Sequence, residues 1–497
     1  MKIDIAILNV PCTLSKVPHV APALLKGSLV SAGLTVKTID FNIKFFNELQ
    51  NHIYFNDFQT YFLENIIDAN KKIYLLEIIG RWVDHVLETD PEWIGISVFT
   101  YQCRVSTRHF CEIIRQKNPN IKIVLGGQGL SQGGINGINA FPIELQGKNL
   151  IDYYIKSEGE ITLIDLLKGN TNRKGINTND FKQVDDLDEL SYPDYSDYDF
   201  SEYEFKWLAI TGSRGCVRKC TFCDIHQHWE YRYRKGANIF KEMKTLSERY
   251  AVNDFVFTDS LVNGNLKEFR NFLAELAEHN SQTDEKISWR GQYIVKPKSV
   301  DNSKHWDLMK RSNCKEIWIG VESGSERLRK EMQKGFTDED LYNAIEQSAA
   351  YGISSRLLMF AGYPTESLDD FEKTLNLIKK YKHLAKISIK SISISDTVSI
   401  LPGTPLYNSA DKYNIVLDDK HENNWLNLNY PDLDIKERIR RVKEAKKLIE
   451  ELGYPGEANG VHNLLEFLTT NAEFFETRLK IKKTIWMKQQ NNEQRQS

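Results

Sequence analysis

Cys216-Val217-Arg218-Lys219-Cys220-Thr221-Phe222-Cys223 sets three thiols on one short stretch, spaced C-x3-C-x2-C. It follows Trp207–Gly212, an apolar run that reads as a strand, with Ser213-Arg214-Gly215 turning between them. Three thiolates on a single loop can hold three corners of a cubane iron–sulfur cluster. Structural zinc usually takes four ligands. No fourth cysteine lies near, because Cys314 is 91 residues further on. The competing reading is a zinc site completed by His226 or His228, which otherwise read as ordinary loop residues. A cluster on three cysteines leaves one iron open to a substrate or cofactor.

Strand-like runs continue after this loop at Asp254–Asp259, Ile287–Tyr293, Glu316–Glu322, Ser355–Ala361 and Ser391–Ser399. Each gap between them has room for one helix and its loops. Six βα units make an open, barrel-like domain over 207–405, whereas a closed barrel needs eight.

Before the loop, strands and helices alternate over 1–168: Lys2–Asn9, Thr35–Phe41, Trp93–Phe99, Ile121–Leu125 and Tyr153–Lys156 read as strands. Their apolar centres predict a doubly wound parallel sheet, with ligands at the carboxyl ends of the strands. Residues 42–88 interrupt it as an aromatic-rich helical insertion. Residues 169–206 are rich in Asn, Asp, Gly and Tyr and read as a linker that wraps a neighbour, since its tyrosines must bury somewhere.

After residue 405 the chain reads as helical, 406–497, ending in a polar tail. Ile435, Ile439, Val442, Ala445, Leu448, Ile449 and Leu452 mark one apolar helix face. Lys436, Arg440, Arg441, Lys443, Lys446 and Lys447 read as its solvated side rather than an RNA-binding surface.

The 497 residues, 41% hydrophobic and 27% charged, exclude a disordered or fibrous chain. A net charge of −3 gives no general pull towards nucleic acid or an anionic membrane. The chain has no apolar run of membrane-helix length and no secretory leader, so a cytoplasmic location is expected.

The cysteine triad, with Phe222 just before the third cysteine, resembles that of the radical S-adenosylmethionine (radical SAM) superfamily. Later segments agree in order: Gly320-Val321-Glu322-Ser323-Gly324-Ser325-Glu326, followed by Met332-Gln333-Lys334-Gly335, resembles the fourth-strand signature. Phe360-Ala361-Gly362-Tyr363-Pro364-Thr365-Glu366-Ser367 is similar to the fifth-strand turn, and Leu401-Pro402-Gly403-Thr404-Pro405 to the segment after the sixth strand. The resemblance implies a 4Fe–4S cluster on Cys216, Cys220 and Cys223, with S-adenosylmethionine chelated by the open iron. It further implies that Phe222 faces the adenine and that Glu322 and Ser323 bond the ribose or the methionine end. Asp259 would pair with the methionine ammonium. Arg290 and Gln292, at alternate positions, share one strand face and are contacts if that face is inward.

The N-terminal third resembles the cobalamin-binding domain that precedes many radical SAM barrels. Gly126-Gly127, Ser157-Glu158-Gly159-Glu160 and Leu187–Tyr195 carry that likeness, with Ser157 where the family often has Gly. The implied corrin contacts are Asn9 and Thr13 after the first strand, Thr100 and Tyr101 after the third, then Gly126, Gly127, Gln128 and Glu158. Gly126 and Gly127 would leave backbone open to a large ligand. The chain has no Asp-x-His-x-x-Gly, so no such histidine is offered to cobalt. A degenerate domain that binds no corrin is the alternative.

The implied function is reductive cleavage of S-adenosylmethionine coupled to cobalamin-dependent methyl transfer, to an unactivated carbon or phosphorus of a small molecule. A low-potential donor such as flavodoxin or ferredoxin would supply the electron. Cobalamin-associated rearrangement or cyclisation, and a non-catalytic corrin or iron–sulfur sensor, are the alternatives. tRNA methylthiolation needs a second cysteine cluster, and Cys12, Cys103 and Cys111 are not arranged as one.

Overall fold

The computed structural model describes residues 2–13, 16–130, 140–156, 158–178, 182–418, 421–455 and 464–493. Ser157 and the last four residues of the polar tail lie outside the described residues. The chain divides into two compact units. One is built mainly from residues up to 210 together with 245–254, the other from most of the remainder.

In the first unit β1 (Ile3–Asn9), β2 (Val36–Asp40), β3 (Pro91–Ser97), β4 (Lys122–Gly126) and β5 (Tyr153–Ile155) form a parallel sheet in the order β2-β1-β3-β4-β5. Alternation along β1 divides the core. Ile5 and Ile7 pack with Leu29 of helix α1 (Val20–Ser31), while Ala6 and Leu8 join the opposite cluster. That second cluster holds most of the insertion, α2 (Phe41–Leu49), α3 (Phe55–Glu64) and α4 (Ala69–Leu87), whose Phe45, Phe58, Tyr61, Phe62 and Trp82 are buried. Each such ring contributes about 2 kcal/mol by leaving water. Three further helices, α5 (Arg104–Lys117), α6 (Ala140–Gly147) and α7 (Gly159–Leu167), complete the layers. The strand order reverses between β1 and β3, so the loops after these two strands flank the crevice where such sheets bind ligands.

The tyrosine-rich segment does not dangle. Asp197 accepts from Lys26 at 2.5 Å, Lys37 at 2.8 Å and the Thr38 amide at 2.8 Å, and Tyr195 is fully buried.

In the barrel, β6 (Trp207–Ile210) is followed by a small antiparallel ribbon, β7 (Ser213–Arg214) with β8 (Arg232–Tyr233), which brackets the cysteine loop and the short helix α8 (Ile225–His228). Then come α9 (Gly236–Tyr250), β9 (Asp254–Phe257), α10 (Leu266–Ser281), β10 (Ser288–Tyr293), α11 (Ser303–Arg311) and β11 (Cys314–Glu322). They are followed by α12 (Glu326–Glu331), α13 (Asp338–Ala350), β12 (Ser354–Ala361), α14 (Leu368–Lys380) and β13 (Ile389–Thr397). The large sheet runs β6-β9-β10-β11-β12-β13, each strand beside its predecessor, as an open six-stranded barrel requires.

Two features beyond the barrel differ from the sequence reading. After α15 (Pro405–Asn408) a two-stranded ribbon, β14 (Ile415–Leu417) with β15 (Trp425–Asn427), interrupts the helical region. Strands of three residues are too short to show a period. Next, α16 (Ile435–Glu451) does bury the expected apolar stripe, but Arg441, expected on the solvated side, is buried, as is Arg438. The chain closes with α17 (Leu464–Thr470) and α18 (Ala472–Glu493). Among the described residues no helix is long and apolar enough to cross a membrane.

Candidate active site

The cysteine loop is built by its neighbours. Gly215, at φ +77°, lies so close to Glu230 that a Cβ would sit 2.5 Å from that carbonyl oxygen, so only glycine lets β7 turn into the loop. Three strand-end segments then grip the loop. The Thr221 amide donates to the Met332 carbonyl at 3.2 Å, beyond β11. The hydroxyls of Thr221 and Tyr363 meet at 2.9 Å, beyond β12. The Leu406 amide donates to the Thr221 carbonyl at 2.8 Å, beyond β13. Phe222 packs edge-on against Phe360, ring centroids 5.2 Å apart. The segments that resembled family signatures are therefore those that hold this loop.

All three thiols are free, with Cys220 buried and the other two half-buried. Burial pushes each thiol up, that of Cys223 to about 11. Against burial, the Arg218 amide donates to the Cys216 sulfur at 3.4 Å, and the charges of Lys334 and Arg218 pull both Cys216 and Cys220 back down. Among the described residues no three His, Cys, Asp or Glu side chains converge closely enough to hold a single metal ion. A zinc centre needs its ligand atoms about 2.1–2.3 Å from one point. Three soft donors on one loop, with the charges of Lys334 and Arg218 beside two of them, fit an anionic iron–sulfur cluster. The Nδ1 of His226 is buried without a hydrogen-bond partner, and neither it nor His228 joins a ligand group.

Glu322 ends β11 in a left-handed conformation, φ +63°. Its carboxylate takes the Lys334 ammonium at 2.8 Å. Burial depresses Lys334, but Glu322 and the thiols more than reverse this, so its net shift is upward. Lys334 lies in a segment that stood out in the sequence, yet nothing in the local pattern marked its side chain as the partner of Glu322.

Two sequence expectations, for Asp259 and Ser323, are corrected. Asp259 shares a strand parity with Phe255 and Phe257, and Phe257 packs on Phe272 and Trp289 in the helix layer. The Asp259 carboxylate accepts from the Gly212 amide at 2.9 Å and the Ser213 hydroxyl at 2.6 Å. It braces the corner before the cysteine loop rather than facing a ligand. On the opposite face the hydroxyls of Thr211 and Thr258 meet at 2.9 Å. Ser323 is buried, its hydroxyl accepting from the Ser325 amide at 3.1 Å and meeting Thr374 at 3.3 Å. Arg290 does face inward with Gln292, because Trp289 fills the helix side. It pairs in register with Glu316, however, six residues before Glu322. Along β11 that is about 20 Å before Glu322, while on its own strand Arg290 stands three residues, about 10 Å, before the end at Tyr293.

The sheet unit brings together only part of its expected set. Asn9 is buried and donates to Asp40 at 2.9 Å. Glu158 is buried and accepts from the Val184 amide. Gly127, at φ +108°, gives its missing Cβ space to the Val98 carbonyl, 2.5 Å away, so the glycine serves a close backbone contact and not an open cradle. Gly126 keeps room, with nothing closer than 3.9 Å to a Cβ. Thr13 meets His19 Nε2 at 3.2 Å, and His19 stands edge-on to Phe99 at 4.6 Å. Phe99 and Tyr101, after β3, are exposed, and Thr100 and Gln128 are half-buried beside them. What remains at the switch point is an aromatic and polar edge of Thr13, His19, Phe99, Tyr101 and Gly126–Gln128.

Residues 210–378 match the family model of the radical SAM superfamily. The chain thus carries a radical SAM domain over that span, and it is an enzyme whose cofactors there are a 4Fe–4S cluster and S-adenosylmethionine. It is 24% identical over 350 residues to an uncharacterised methyltransferase of Pyrococcus horikoshii, covering 66% of this chain and 71% of that one. The radical SAM methyltransferase TsrM of Kitasatospora setae, solved with cobalamin and a [4Fe–4S] cluster bound, superposes over 98% of this chain and 100% of its own, with a TM-score of 0.60 and 15% identity. The cobalamin-dependent S-adenosylmethionine radical enzyme OxsB superposes over 88% of this chain and 66% of its own, with a TM-score of 0.64 and 17% identity. At such identities the likeness fixes the fold: a parallel-sheet unit, an open barrel and a helical C-terminal region.

Proposed function

We propose that this protein is a cobalamin-dependent radical SAM methyltransferase acting on an unactivated carbon or phosphorus of a small molecule. The observation that carries the reading is the pairing, in one chain, of a three-thiol loop gripped by three strand-end segments with a parallel sheet that presents exposed aromatics at its switch point. The full-length likeness to TsrM supports it.

Cys216, Cys220 and Cys223 would hold the cluster. Lys334, paired with Glu322, sets a fixed positive charge beside two of the thiolates and offsets part of their charge. Phe222 and Phe360 form an apolar wall beside the loop, suited to an adenine face and to keeping water out. Tyr363 holds Thr221, and so the spacing of Cys220 and Cys223, through its hydroxyl. In the sheet unit Phe99 and Tyr101 offer flat surface to a corrin, and Gly126 admits close approach. His19 is turned to Thr13 and Phe99, which supports a corrin held without a histidine on cobalt. Bound together, these cofactors supply one-electron cleavage of a sulfonium and a carrier for a methyl group. A flavodoxin or ferredoxin would deliver the electron.

The test is to reduce the reconstituted protein with dithionite in the presence of hydroxocobalamin and S-adenosylmethionine bearing a deuterated methyl group. Mass spectrometry should find S-adenosylhomocysteine, 5′-deoxyadenosine or a labelled product. A corrin or iron–sulfur sensor would form none of them.

A further inference from the structure

The turn Gly362–Ser367 is held from behind by two arginines of α16. Arg441 Nη1 donates to the Glu366 carboxylate at 2.9 Å and to the Glu366 carbonyl at 3.0 Å. The same carboxylate accepts from the Gly362 amide at 2.8 Å, closing the turn on itself. Arg441 Nε is itself held by Glu437 at 2.9 Å. One helical turn earlier, Arg438 lies 3.7 Å over the Trp425 ring and donates to the carbonyls of Trp425 at 2.8 Å and Asn423 at 2.9 Å. Its stem covers Gly362 so closely that a Cβ there would lie 2.7 Å from Arg438 Cδ. Asn427 adds a bond to the Pro364 carbonyl at 3.0 Å. The same turn carries Tyr363, whose hydroxyl meets Thr221 between Cys220 and Cys223.

A buried guanidinium is costly unless its bonds are satisfied, so the pair tolerates one geometry of the turn and penalises others. The solvated basic face expected of this helix does exist, in exposed Lys436, Arg440, Lys443 and Lys447, but Arg438 and Arg441 are set apart from it.

We infer that α16 is a positioning element of the S-adenosylmethionine site: Arg441, acting through Glu366 and backed by Arg438, fixes the turn whose Tyr363 holds the cluster loop. The inference rests on the radical SAM domain and is independent of cobalamin.

The experiment titrates S-adenosylmethionine into reconstituted full-length protein, following the change it causes in the electron paramagnetic resonance of the reduced cluster, with iron content measured beside it. Arg441→Ala should keep its iron and bind S-adenosylmethionine at least tenfold more weakly, with Arg441→Lys between it and the wild type. Glu366→Gln should weaken binding in the same direction. Added to Arg441→Ala it should cost nothing further, because both act through one contact. Should Arg441→Ala fail to fold, the isosteric Glu366→Gln carries the test. Arg440→Ala, exposed on the same helix, should match the wild type. Unchanged affinity in both Arg441→Ala and Glu366→Gln, or additive losses in the double variant, would overturn the inference. A wild type that shows no response to S-adenosylmethionine would instead overturn the reading of the site itself.

Discussion

The Lys334 ammonium lies 2.8 Å from the Glu322 carboxylate, and both groups crowd the missing side chain of Gly320, where a Cβ would stand 2.7 Å from the carboxylate oxygen and 3.1 Å from the ammonium. The fourth-strand signature thus reads as one device. A glycine makes room, a left-handed glutamate turns into it, and a lysine from the following segment neutralises that glutamate beside the thiols.

Lys334→Ala leaves Glu322 without its counter-charge in a mostly buried place, which should cost about 3 kcal/mol of stability. Gly320→Ala forces the pair apart and should weaken S-adenosylmethionine binding about tenfold while iron is retained. Thermal unfolding and equilibrium binding read the two effects. A Gly320→Ala protein with unaltered affinity would mean that the pair stands outside the cofactor site.

Asp259 gives a pH signature. Burial pushes its carboxyl up from the ordinary 3.8 to about 7. Between those values the folded protein holds a proton that the unfolded chain has released. Stability from this group is therefore full below about pH 4 and is lost as pH rises to about 7, at about 1.4 kcal/mol per pH unit. Asp259→Asn keeps an oxygen acceptor for the Gly212 amide, turns its NH2 group to the Ser213 hydroxyl, and has no proton to lose. The unfolding temperature of Asp259→Asn relative to wild type, measured on cluster-free protein, should climb from pH 4 to pH 7. A constant difference would contradict the buried, bracing role.

For corrin, exposed residues make cleaner probes than glycines. Any side chain at Gly127 would strike the Val98 carbonyl and disturb the sheet edge itself. Phe99→Ala and Tyr101→Ala remove exposed rings, so unfolding temperature should hold while hydroxocobalamin affinity falls about tenfold. Full corrin uptake by the double variant would move the corrin off the switch point.

Cys12, Cys103, Cys111 and Cys314 are buried apolar packing, with burial pushing the Cys111 thiol up to about 12. Replacing any of the four with Ala should leave four irons per chain, whereas Ala at Cys216, Cys220 or Cys223 should abolish cluster assembly. Iron lost on Cys314→Ala would mean a fourth protein ligand.

The strands were legible because apolar runs with period two leave little choice of face; that Arg290 and Gln292 share a face was legible too, but which face was inward stayed open until the packing of Trp289 against the helix layer decided it. Asp259 could have been placed by the same rule, since Phe255 and Phe257 share its face and aromatics seek the helix layer. Its chemistry as a carboxylate at a strand end masked that signal. Lys334, Arg438 and Arg441 were illegible for a different reason. Each acts on a partner brought near by the fold: Arg441 is 75 residues from Glu366, and no local period encodes such a contact. Solvated and buried arginines alternate on one helix, and sequence spacing alone counted Arg441 with the wrong set.

Electron paramagnetic resonance of the dithionite-reduced, anaerobically reconstituted protein, with and without S-adenosylmethionine, tests most directly that three thiols hold a cluster with an open iron. The cluster signal should change shape and position when S-adenosylmethionine is added, and no signal should form in Cys220→Ala. A four-iron signal identical with and without S-adenosylmethionine would contradict the account.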